Sequence, residues 1–240
     1  MKAMKIALLS AAASLSMGGA ALAQDDSGVK FSFNVGAAAD YVFRGISQTD
    51  ENPQIFAGAD VTSGILYGGV WASNVDFLDS TDAEIDVYAG VRPTLGPVSL
   101  DLGAIYYGYV NEPSGADYAY WEFKAAGSVP AGPATIGAAI FYSPDYTSAI
   151  TDEAWYYEVN GSVPLAEKVT LSGAVGHQDI QVDVLGADDV DYNTWNVGVG
   201  FALTDKVGLD LRYHDTDDGD DIFGDIADER VVLSAKVTLP

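Results

Sequence analysis

The sequence contains no cysteine and only two histidines among its 240 residues. The absence of cysteine excludes disulfide bonds, thiolate zinc sites and cysteine nucleophiles. Two histidines leave little material for a histidine-rich metal or acid–base centre. Basic side chains are also scarce, with 11 Lys and Arg against 35 Asp and Glu, which gives a formal net charge of −24. A field of this sign repels phosphate backbones, so we exclude nucleic acid as a partner.

Long hydrophobic runs are missing too, although the chain is not polar on average. Beyond the N-terminal region, no stretch approaches the roughly 18 consecutive apolar residues of a membrane-spanning helix. Yet 48% of the residues are hydrophobic, 11% are aromatic and the mean hydropathy is +0.10. Acidic disordered chains are poor in both residue classes. The composition therefore predicts a folded protein that either is soluble outside the cytoplasm or crosses a membrane as β-strands.

The first 23 residues have the pattern of a secretory signal peptide. Two lysines and an apolar stretch over residues 6–22 lead to Ala21-Leu22-Ala23, which fits the small-x-small cleavage motif. A lone membrane anchor fits less well, because the apolar part is short and rich in alanine. We predict cleavage after Ala23 and one mature domain over residues 24–240.

The rest of the chain reads as β-strands, because apolar and polar residues alternate with a period of two. In the first such segment Phe31, Phe33 and Val35 begin an apolar phase that continues to Tyr41 and Phe43. The pattern predicts twelve strands, near residues 29–44, 53–62, 65–77, 83–92, 97–110, 117–129, 133–143, 153–163, 167–178, 191–203, 206–214 and 228–239. An even number is typical of bacterial single-chain barrels.

The two phases carry different side chains, which indicates a barrel with an apolar outer surface and a polar lumen. The predicted outward phase holds all four tryptophans, namely Trp71, Trp121, Trp155 and Trp195. The inward phase holds the nine basic residues that follow the signal peptide: Lys30, Arg44, Arg92, Lys124, Lys168, Lys206, Arg212, Arg230 and Lys236. Short turns alternate with longer acidic loops along the chain. We therefore predict an all-β fold, an antiparallel up-and-down transmembrane barrel of about 12 strands; a secreted β-sandwich is the alternative.

Several segments resemble a known family. They are DYVFRGISQTDENP at residues 40–53, WASNVDF at 71–77, EIDVYAGV at 84–91, AIYYGY at 104–109 and YSPDY at 142–146. Together they are similar to the TorF family of porin-like proteins, also called the Gcw_chp family of proteobacterial proteins. The resemblance implies an outer-membrane β-barrel with a channel role and offers no catalytic or ligand residues.

An outer-membrane β-barrel of this family implies a location and a set of partners. We expect the bacterial outer membrane with both termini in the periplasm, and as partners outer-membrane lipid and lipopolysaccharide, the barrel assembly machinery and small solutes. We expect no cofactor. Barrels of this class usually end in an aromatic residue that assists assembly, whereas this chain ends in Leu239-Pro240.

Charged residues on the inward phase are the candidates for a lumen that selects its solute. They are Asp40, Arg44, Glu84, Asp86, Arg92, Glu122, Lys124 and Arg212. We place Arg44 at the outer end of the first strand, where two interpretations stand. It either projects into the lumen and pairs with acidic residues there, or lies at the rim and neutralises Asp50 or Glu51.

The loops at residues 179–190 and 215–228 are the most acidic segments. Their carboxylates could hold calcium or magnesium through oxygen ligands, and the weak candidates are Asp215, Asp217, Asp218, Asp220 and Asp221. A solvated run of charge is the simpler interpretation, and we name no metal site. The segment does not match the EF-hand motif, because the sixth position counted from Asp215 is Asp220 and not glycine.

We predict a channel for passive diffusion of small hydrophilic solutes or ions, with a weak preference for cations. The second hypothesis is a non-conducting structural or interaction barrel, whose lumen is filled by inward tyrosines: Tyr88, Tyr107, Tyr109, Tyr118 and Tyr120. The third is a lipid-active barrel enzyme, which needs a serine beside a histidine on the lipid face. His177 is on the outward phase but Ser172 is not, so we expect no enzyme activity.

Overall fold

The computed structural model describes residues 28–147, 151–182, 189–217 and 219–240. The predicted signal peptide and its cleavage site lie outside these residues. The strands are β1 Lys30–Ala38, β2 Val42–Phe43, β3 Ile46–Ser47, β4 Gln54–Ser63, β5 Leu66–Asn74, β6 Ala83–Val91, β7 Thr94–Leu95, β8 Val98–Val110, β9 Tyr120–Ala131, β10 Ala134–Ser143, β11 Thr151–Ala166, β12 Val169–Val182, β13 Val190–Ala202, β14 Val207–Asp217 and β15 Arg230–Leu239. A short helix α1 (Gly219–Phe223) and a 3-10 turn (Gly224–Ala227) complete the described elements.

Twelve long strands form one closed antiparallel barrel, which confirms the predicted fold class. We call β1, β4, β5, β6 and β8 to β15 the wall strands. Each pairs with its neighbours in the chain, and β6 continues to β8 past the short β7. The ring closes where the first and last strands pair, with Phe33 opposite Leu239 and Ala38 opposite Ser234. Closure leaves no free sheet edge, which is what a strand-built wall needs in lipid.

The two ends of the barrel differ in their connections. Five short turns lie at one end, which we call the turn end, and the wall strands both begin and finish there at Lys30 and Leu239. Six longer connections lie at the other end, the loop end, and their described residues are 39–53, 75–82, 111–119, 144–147, 189 and 219–229. This is the alternation of short and long connections that the sequence predicts.

Side chains alternate across the wall as the period of two requires. Apolar outward residues are exposed, for example Phe31 at 63%, Ile55 at 68% and Val175 at 59%. Among the described residues, no helix is long and apolar enough to span a membrane. The exposed apolar side chains make the outward face of the wall strands an apolar surface.

The predicted orientation of Trp71 is wrong. Trp71 pairs with Asp86, whose side chain is buried in the lumen, and its ring contacts Tyr41 and Phe56 at centroid distances of 5.5 and 6.1 Å. The outward phase of β5 runs instead through Val70, which is 47% exposed. Both phases of this strand contain apolar residues and glycine, so its alternation does not distinguish lipid from lumen.

The first strand also ends earlier than predicted. The wall strand β1 stops at Ala38, and the chain then turns into the lumen, where β2 and β3 form a small hairpin. Tyr41 and Phe43, which the alternation assigns to the outward phase, are 2% and 5% exposed inside the barrel. A buried hairpin needs the same apolar residues as a lipid-facing strand, so the pattern continues across the change in environment.

The predicted strand over residues 117–129 begins later, at Tyr120. Tyr118 therefore lies in the loop before β9 and does not fill the lumen as an inward strand residue. At the loop end β11 and β12 extend beyond their predicted limits, over Thr151–Ala166 and Val169–Val182.

Candidate functional site: a hairpin that closes the loop end of the lumen

We call residues 41–48 the lumen hairpin. Val42 pairs with Ser47 and Phe43 with Ile46, which leaves Arg44 and Gly45 as a two-residue turn. Their φ angles are +46° and +89°, as a type I′ turn requires, and such turns match the twist of a tight hairpin. Glycine is needed here for a second reason. A Cβ on Gly45 would lie 2.3 Å from Thr216 Cγ2 and 2.8 Å from Thr194 Oγ1, so the turn packs directly on the wall.

The base of the hairpin is fixed by a network around Asp40, a predicted lumen residue. Asp40 Oδ1 accepts hydrogen bonds from the hydroxyls of Ser47 at 2.7 Å and Thr49 at 2.8 Å. Its other oxygen, Oδ2, forms an ion pair with Arg230 Nη1 of β15 at 2.9 Å. Arg230 also pairs with Glu51 at 3.3 Å. These bonds join the first loop to the last wall strand.

The tip of the hairpin carries Arg44, whose side chain is 5% exposed. Arg44 Nη2 pairs with Glu122 Oε1 of β9 at 2.7 Å, and Nη1 donates to Gln178 Oε1 of β12 at 2.8 Å. The guanidinium carbon also lies 4.2 Å from the ring centroid of Tyr156 and 5.1 Å from that of Phe141. Arg44 therefore projects into the lumen and pairs with a carboxylate there, and it does not lie at the rim beside Asp50 or Glu51.

Two further predicted residues flank the hairpin on β6. Glu84 accepts hydrogen bonds from the hydroxyls of Tyr41 and Tyr109, both at 2.7 Å. Asp86 is 1% exposed, and neither of its carboxylate oxygens has a hydrogen-bond partner among the described residues. Its charged neighbours are Glu84 and Glu122. The wall around the hairpin is therefore acidic, which favours a cation at its tip.

Packing around the hairpin closes the loop end of the lumen. Ten of the twelve wall strands place a buried inward side chain near their loop-end terminus: Phe56, Ser73, Glu84, Tyr107, Glu122, Ser143, Tyr156, Gln178, Thr194 and Val232. Other loops add Val75 and Tyr146, which pack with Tyr41 and Phe43. The last loop adds Ala227, which packs with Ile46 and Tyr192.

The turn end has a different character, because the charges around Asp101 remain partly exposed. Asp101 pairs with Lys124 at 2.8 Å and with Arg92 at 3.2 Å, and these side chains are 23%, 18% and 55% exposed. Tyr67 donates to Asp101 at 2.7 Å. Arg212, another predicted lumen residue, binds Asp210 and also donates to Asn196 and Ser172. Water can reach this half of the lumen.

Of the residues that contact Arg44, the sequence predicts only Glu122 as a lumen residue. Gln178, Tyr156 and Phe141 are not charged, so a search for inward charge does not find them. The alternation places Arg230 on the inward phase but assigns it no role. Their only sequence signal is an inward position near the loop end of a strand, which many residues share.

The acidic residues proposed as weak divalent-cation ligands do not form one site in the described structure. Asp215 accepts from Tyr213 and Thr216, and Asp217 accepts twice from Asn193. Asp220 and Asp221 are exposed in α1, and Asp218 lies outside the described residues. In the described part of the chain no group of three His, Asp or Glu side chains is arranged to hold a metal ion. Divalent-cation binding by these loops stays a prediction.

Exposed acidic side chains surround the loop end. They are Glu51, Asp76, Asp79, Asp82, Asp117, Asp145, Asp152, Asp220, Asp221, Asp225, Asp228 and Glu229. Two basic residues lie near them, Arg44 and Arg230, and both are ion-paired. Tyr118 donates to Asp79 at 2.9 Å, and partial burial together with this bond raises the pKa of Tyr118 to about 12. The loop end therefore presents a negative surface to solution.

The histidine and serine considered for lipid chemistry lie as predicted, on opposite faces of the wall. His177 faces outward and its Nδ1 lies 3.0 Å from Asn193 Oδ1. Ser172 faces the lumen, where it accepts a hydrogen bond from Arg212. A serine–histidine pair on the outer face is therefore not formed by these two residues.

The fold of the wall is similar to that of outer-membrane barrels of known structure. An outer-membrane channel from Pseudomonas putida F1 is 11% identical, with 90% of this chain and 96% of that chain covered and a TM-score of 0.57. The NanC porin is 10% identical, with 86% and 97% covered and a TM-score of 0.52. A loop L8 deletion variant of OmpT, an outer-membrane protein of Vibrio cholerae, is 13% identical, with 89% and 100% covered and a TM-score of 0.51.

The sequence itself identifies the family. Residues 22–239 match the family described as "Bacterial protein of unknown function (Gcw_chp)", so the chain belongs to it. This confirms the resemblance carried by DYVFRGISQTDENP and the four segments that follow it. Among curated proteins, none matches this sequence.

Proposed function

We propose that the protein is an outer-membrane channel for small hydrophilic solutes, whose loop end is closed by the lumen hairpin. The observation that carries the proposal is the contrast between the two halves of the lumen. The turn-end half is polar and partly exposed, and the closure at the other end is made by a loop that folds inward. The lumen hairpin lies inside the barrel and is not part of the wall sheet. It can therefore leave the lumen without breaking the pairing of the wall strands.

Location and selectivity belong to the same proposal. The apolar outer face fits a lipid environment, and loops on the outside with both termini in the periplasm follow the usual layout of such barrels. The acidic loop end attracts cations and repels anions, so the channel prefers cations weakly. His177 and Ser172 lie on opposite faces of the wall and cannot act together on a lipid, which supports a non-enzymatic role.

A second function is a non-conducting structural barrel. The specific observation that favours it is the burial of the hairpin, since Ile46 is 1% and Tyr41 2% exposed. A hairpin that never leaves such an environment would close the barrel permanently. The two functions differ in whether removal of the hairpin exposes a continuous lumen.

The decisive experiment removes the hairpin tip and keeps most of its base, because Thr49 and Arg230 still bind Asp40 and only the bond from Ser47 is lost. Gln48 N donates to Tyr41 O at 2.6 Å, so the two residues already stand at the spacing of a two-residue hairpin. Replacing residues 42–47 by Asn-Gly, a favoured type I′ pair, should preserve this bond. In planar bilayers we expect rare openings from the natural protein and a large steady conductance from this hairpin-excised variant. A folded variant with no conductance would support the structural barrel instead.

A further inference from the structure

The contacts of Arg44 form a pocket that belongs to the wall and not to the hairpin. Glu122, Phe141, Tyr156 and Gln178 come from four adjacent wall strands, β9 to β12. We call these four residues the guanidinium pocket. Arg44 is the charged residue of the lumen hairpin, and its guanidinium group occupies this pocket.

The acceptors of the pocket are held in place by contacts of their own. The second oxygen of Glu122 accepts from the Tyr107 hydroxyl at 3.1 Å. The amide nitrogen of Gln178 donates to Trp155 O at 3.2 Å, which directs the amide oxygen toward Arg44. Glu122 and Gln178 are 2% and 1% exposed. The contacts that orient these two acceptors are therefore made by the wall and not by Arg44 alone.

The geometry of the pocket matches a guanidinium better than an ammonium. Its two acceptors bind different terminal nitrogens of Arg44, at 2.7 and 2.8 Å, which a planar cation with several N–H groups can satisfy at once. The rings of Tyr156 and Phe141 lie within reach of its charge, where a cation is attracted to the aromatic face. A primary ammonium is a point charge and cannot span the same pair of acceptors in one plane.

We propose that the guanidinium pocket is a recognition site for guanidinium-bearing solutes and that Arg44 occupies it as an internal mimic. The inference rests on the proposed function in one respect: a solute that displaces Arg44 removes the contacts that keep the hairpin tip in the lumen. We expect the solute to approach from the loop end, because the acidic surface there concentrates cations at the mouth nearest the pocket. Guanidinium-bearing solutes are thus ligands that open the channel.

The binding test uses chemical rescue of Arg44→Ala, a variant that empties the pocket. Ethylguanidinium corresponds to the part of the side chain that this substitution removes, and ethylammonium at the same concentration and ionic strength is the matched control. We expect ethylguanidinium to raise the thermal unfolding midpoint of Arg44→Ala in detergent, and ethylammonium to do so with an affinity about tenfold to a hundredfold weaker, as loss of one charged hydrogen bond implies. The hairpin-excised variant, which also lacks Arg44, serves the same purpose where Arg44→Ala does not fold.

Two further proteins make the test specific to the pocket. Arg44→Ala/Glu122→Gln keeps the size of the cavity but loses the carboxylate, and should respond only weakly to either cation. The natural protein, whose pocket is filled, should respond only at far higher concentration. Equal stabilisation of Arg44→Ala by both cations, or an unchanged response after Glu122→Gln, would overturn the proposal.

Bilayer recordings separate this inference from the proposed function. Arg44→Ala should conduct more than the natural protein, because its hairpin tip has lost its anchor, and guanidinium-bearing solutes added on the loop side should open the natural protein. Selective binding without conductance in any variant would retain the pocket and remove the channel. Conductance by Arg44→Ala without selective binding would retain the channel and remove the pocket.

Discussion

The loop end and the turn end of the lumen use the same kinds of side chain for different purposes. At the loop end Glu122 and Arg44 form an ion pair with side chains 2% and 5% exposed. At the turn end Asp101 and Arg92 form another, with side chains 23% and 55% exposed. Buried charges interact strongly but are costly to leave without a partner, whereas hydrated charges interact weakly and are easily replaced. The first pair is thus suited to hold a structure and the second to line a path.

The largest expected effect comes from removing one partner of the buried pair. Glu122→Leu leaves the Arg44 guanidinium buried without its carboxylate, which should destabilise the protein by about 3 to 5 kcal/mol. The matched change at the turn end is Lys124→Leu, where Asp101 keeps Arg92 and Tyr67, and we expect less than about 1 kcal/mol. Urea unfolding of protein folded into lipid vesicles measures both. Equal losses would mean that the two ends do not differ in their electrostatics.

The double variant Arg44→Leu/Glu122→Leu sharpens the same contrast. Replacing both partners removes the unpaired charge, so most of the stability lost in Glu122→Leu should return. A double variant as unstable as the single one would show that packing, and not charge, holds the hairpin tip.

The next effect concerns the turn of the hairpin. Gly45→Ala combines an unfavourable positive φ with overpacking against Thr216, and we expect a loss of about 2 to 4 kcal/mol. Gly64→Ala is the control, because Gly64 has φ +58° in the turn between β4 and β5 and a Cβ added there would meet no atom within 4 Å. It should cost about 1 kcal/mol. Thr216→Ser, which removes the clashing methyl group, should recover part of the Gly45→Ala loss, and its failure to do so would place the strain elsewhere.

A smaller effect is expected from single hydroxyl groups. Tyr41→Phe removes one buried hydrogen bond to Glu84, which keeps the one from Tyr109, and should cost about 1.5 to 3 kcal/mol. Tyr67→Phe removes the corresponding bond to Asp101 in the partly exposed half, where we expect less than about 1 kcal/mol. Unfolding in urea again gives both values. A larger loss for Tyr67→Phe would reverse the comparison between the two ends.

The substitution Lys124→Ala should have the smallest effect on stability but a clear effect on ion selectivity. In the hairpin-excised variant Lys124→Ala removes a positive charge from the lumen, so the reversal potential under a salt gradient should move toward stronger cation preference. In the natural protein the same substitution should leave conductance unchanged, since the loop end is closed. A clear anion preference of the hairpin-excised variant would contradict the predicted selectivity.

The sequence predicts the wall of this barrel well and its contents poorly. Alternation locates all twelve wall strands and puts Glu84, Glu122 and Arg212 on the lumen side, because a strand that separates lipid from a polar lumen must sort its residues with a period of two. The same rule fails at Tyr41 and Phe43, since a hairpin enclosed on all sides also demands apolar residues. At Trp71 it fails because a packed lumen accepts a tryptophan as readily as lipid does.

The candidate site shows the same division. Arg44 and Glu122 could be recognised as inward charges, but their pairing depends on the turn of the chain after Ala38, which only the three-dimensional arrangement reveals. Gln178 and Tyr156 come from distant parts of the chain and carry no charge to mark them. The segment DYVFRGIS at residues 40–47 has a physical explanation, since Asp40 and Arg44 form buried ion pairs and Gly45 has a positive φ where a Cβ would clash with Thr216.

The ion pair between Asp40 and Arg230 has a consequence for assembly. Its partners are 190 residues apart in the chain, and Arg230 begins the strand that closes the ring with β1. Contacts of such long sequence separation form late, because the intervening chain must first be ordered. The complete network at the base of the hairpin therefore requires that β15 has already docked against β1.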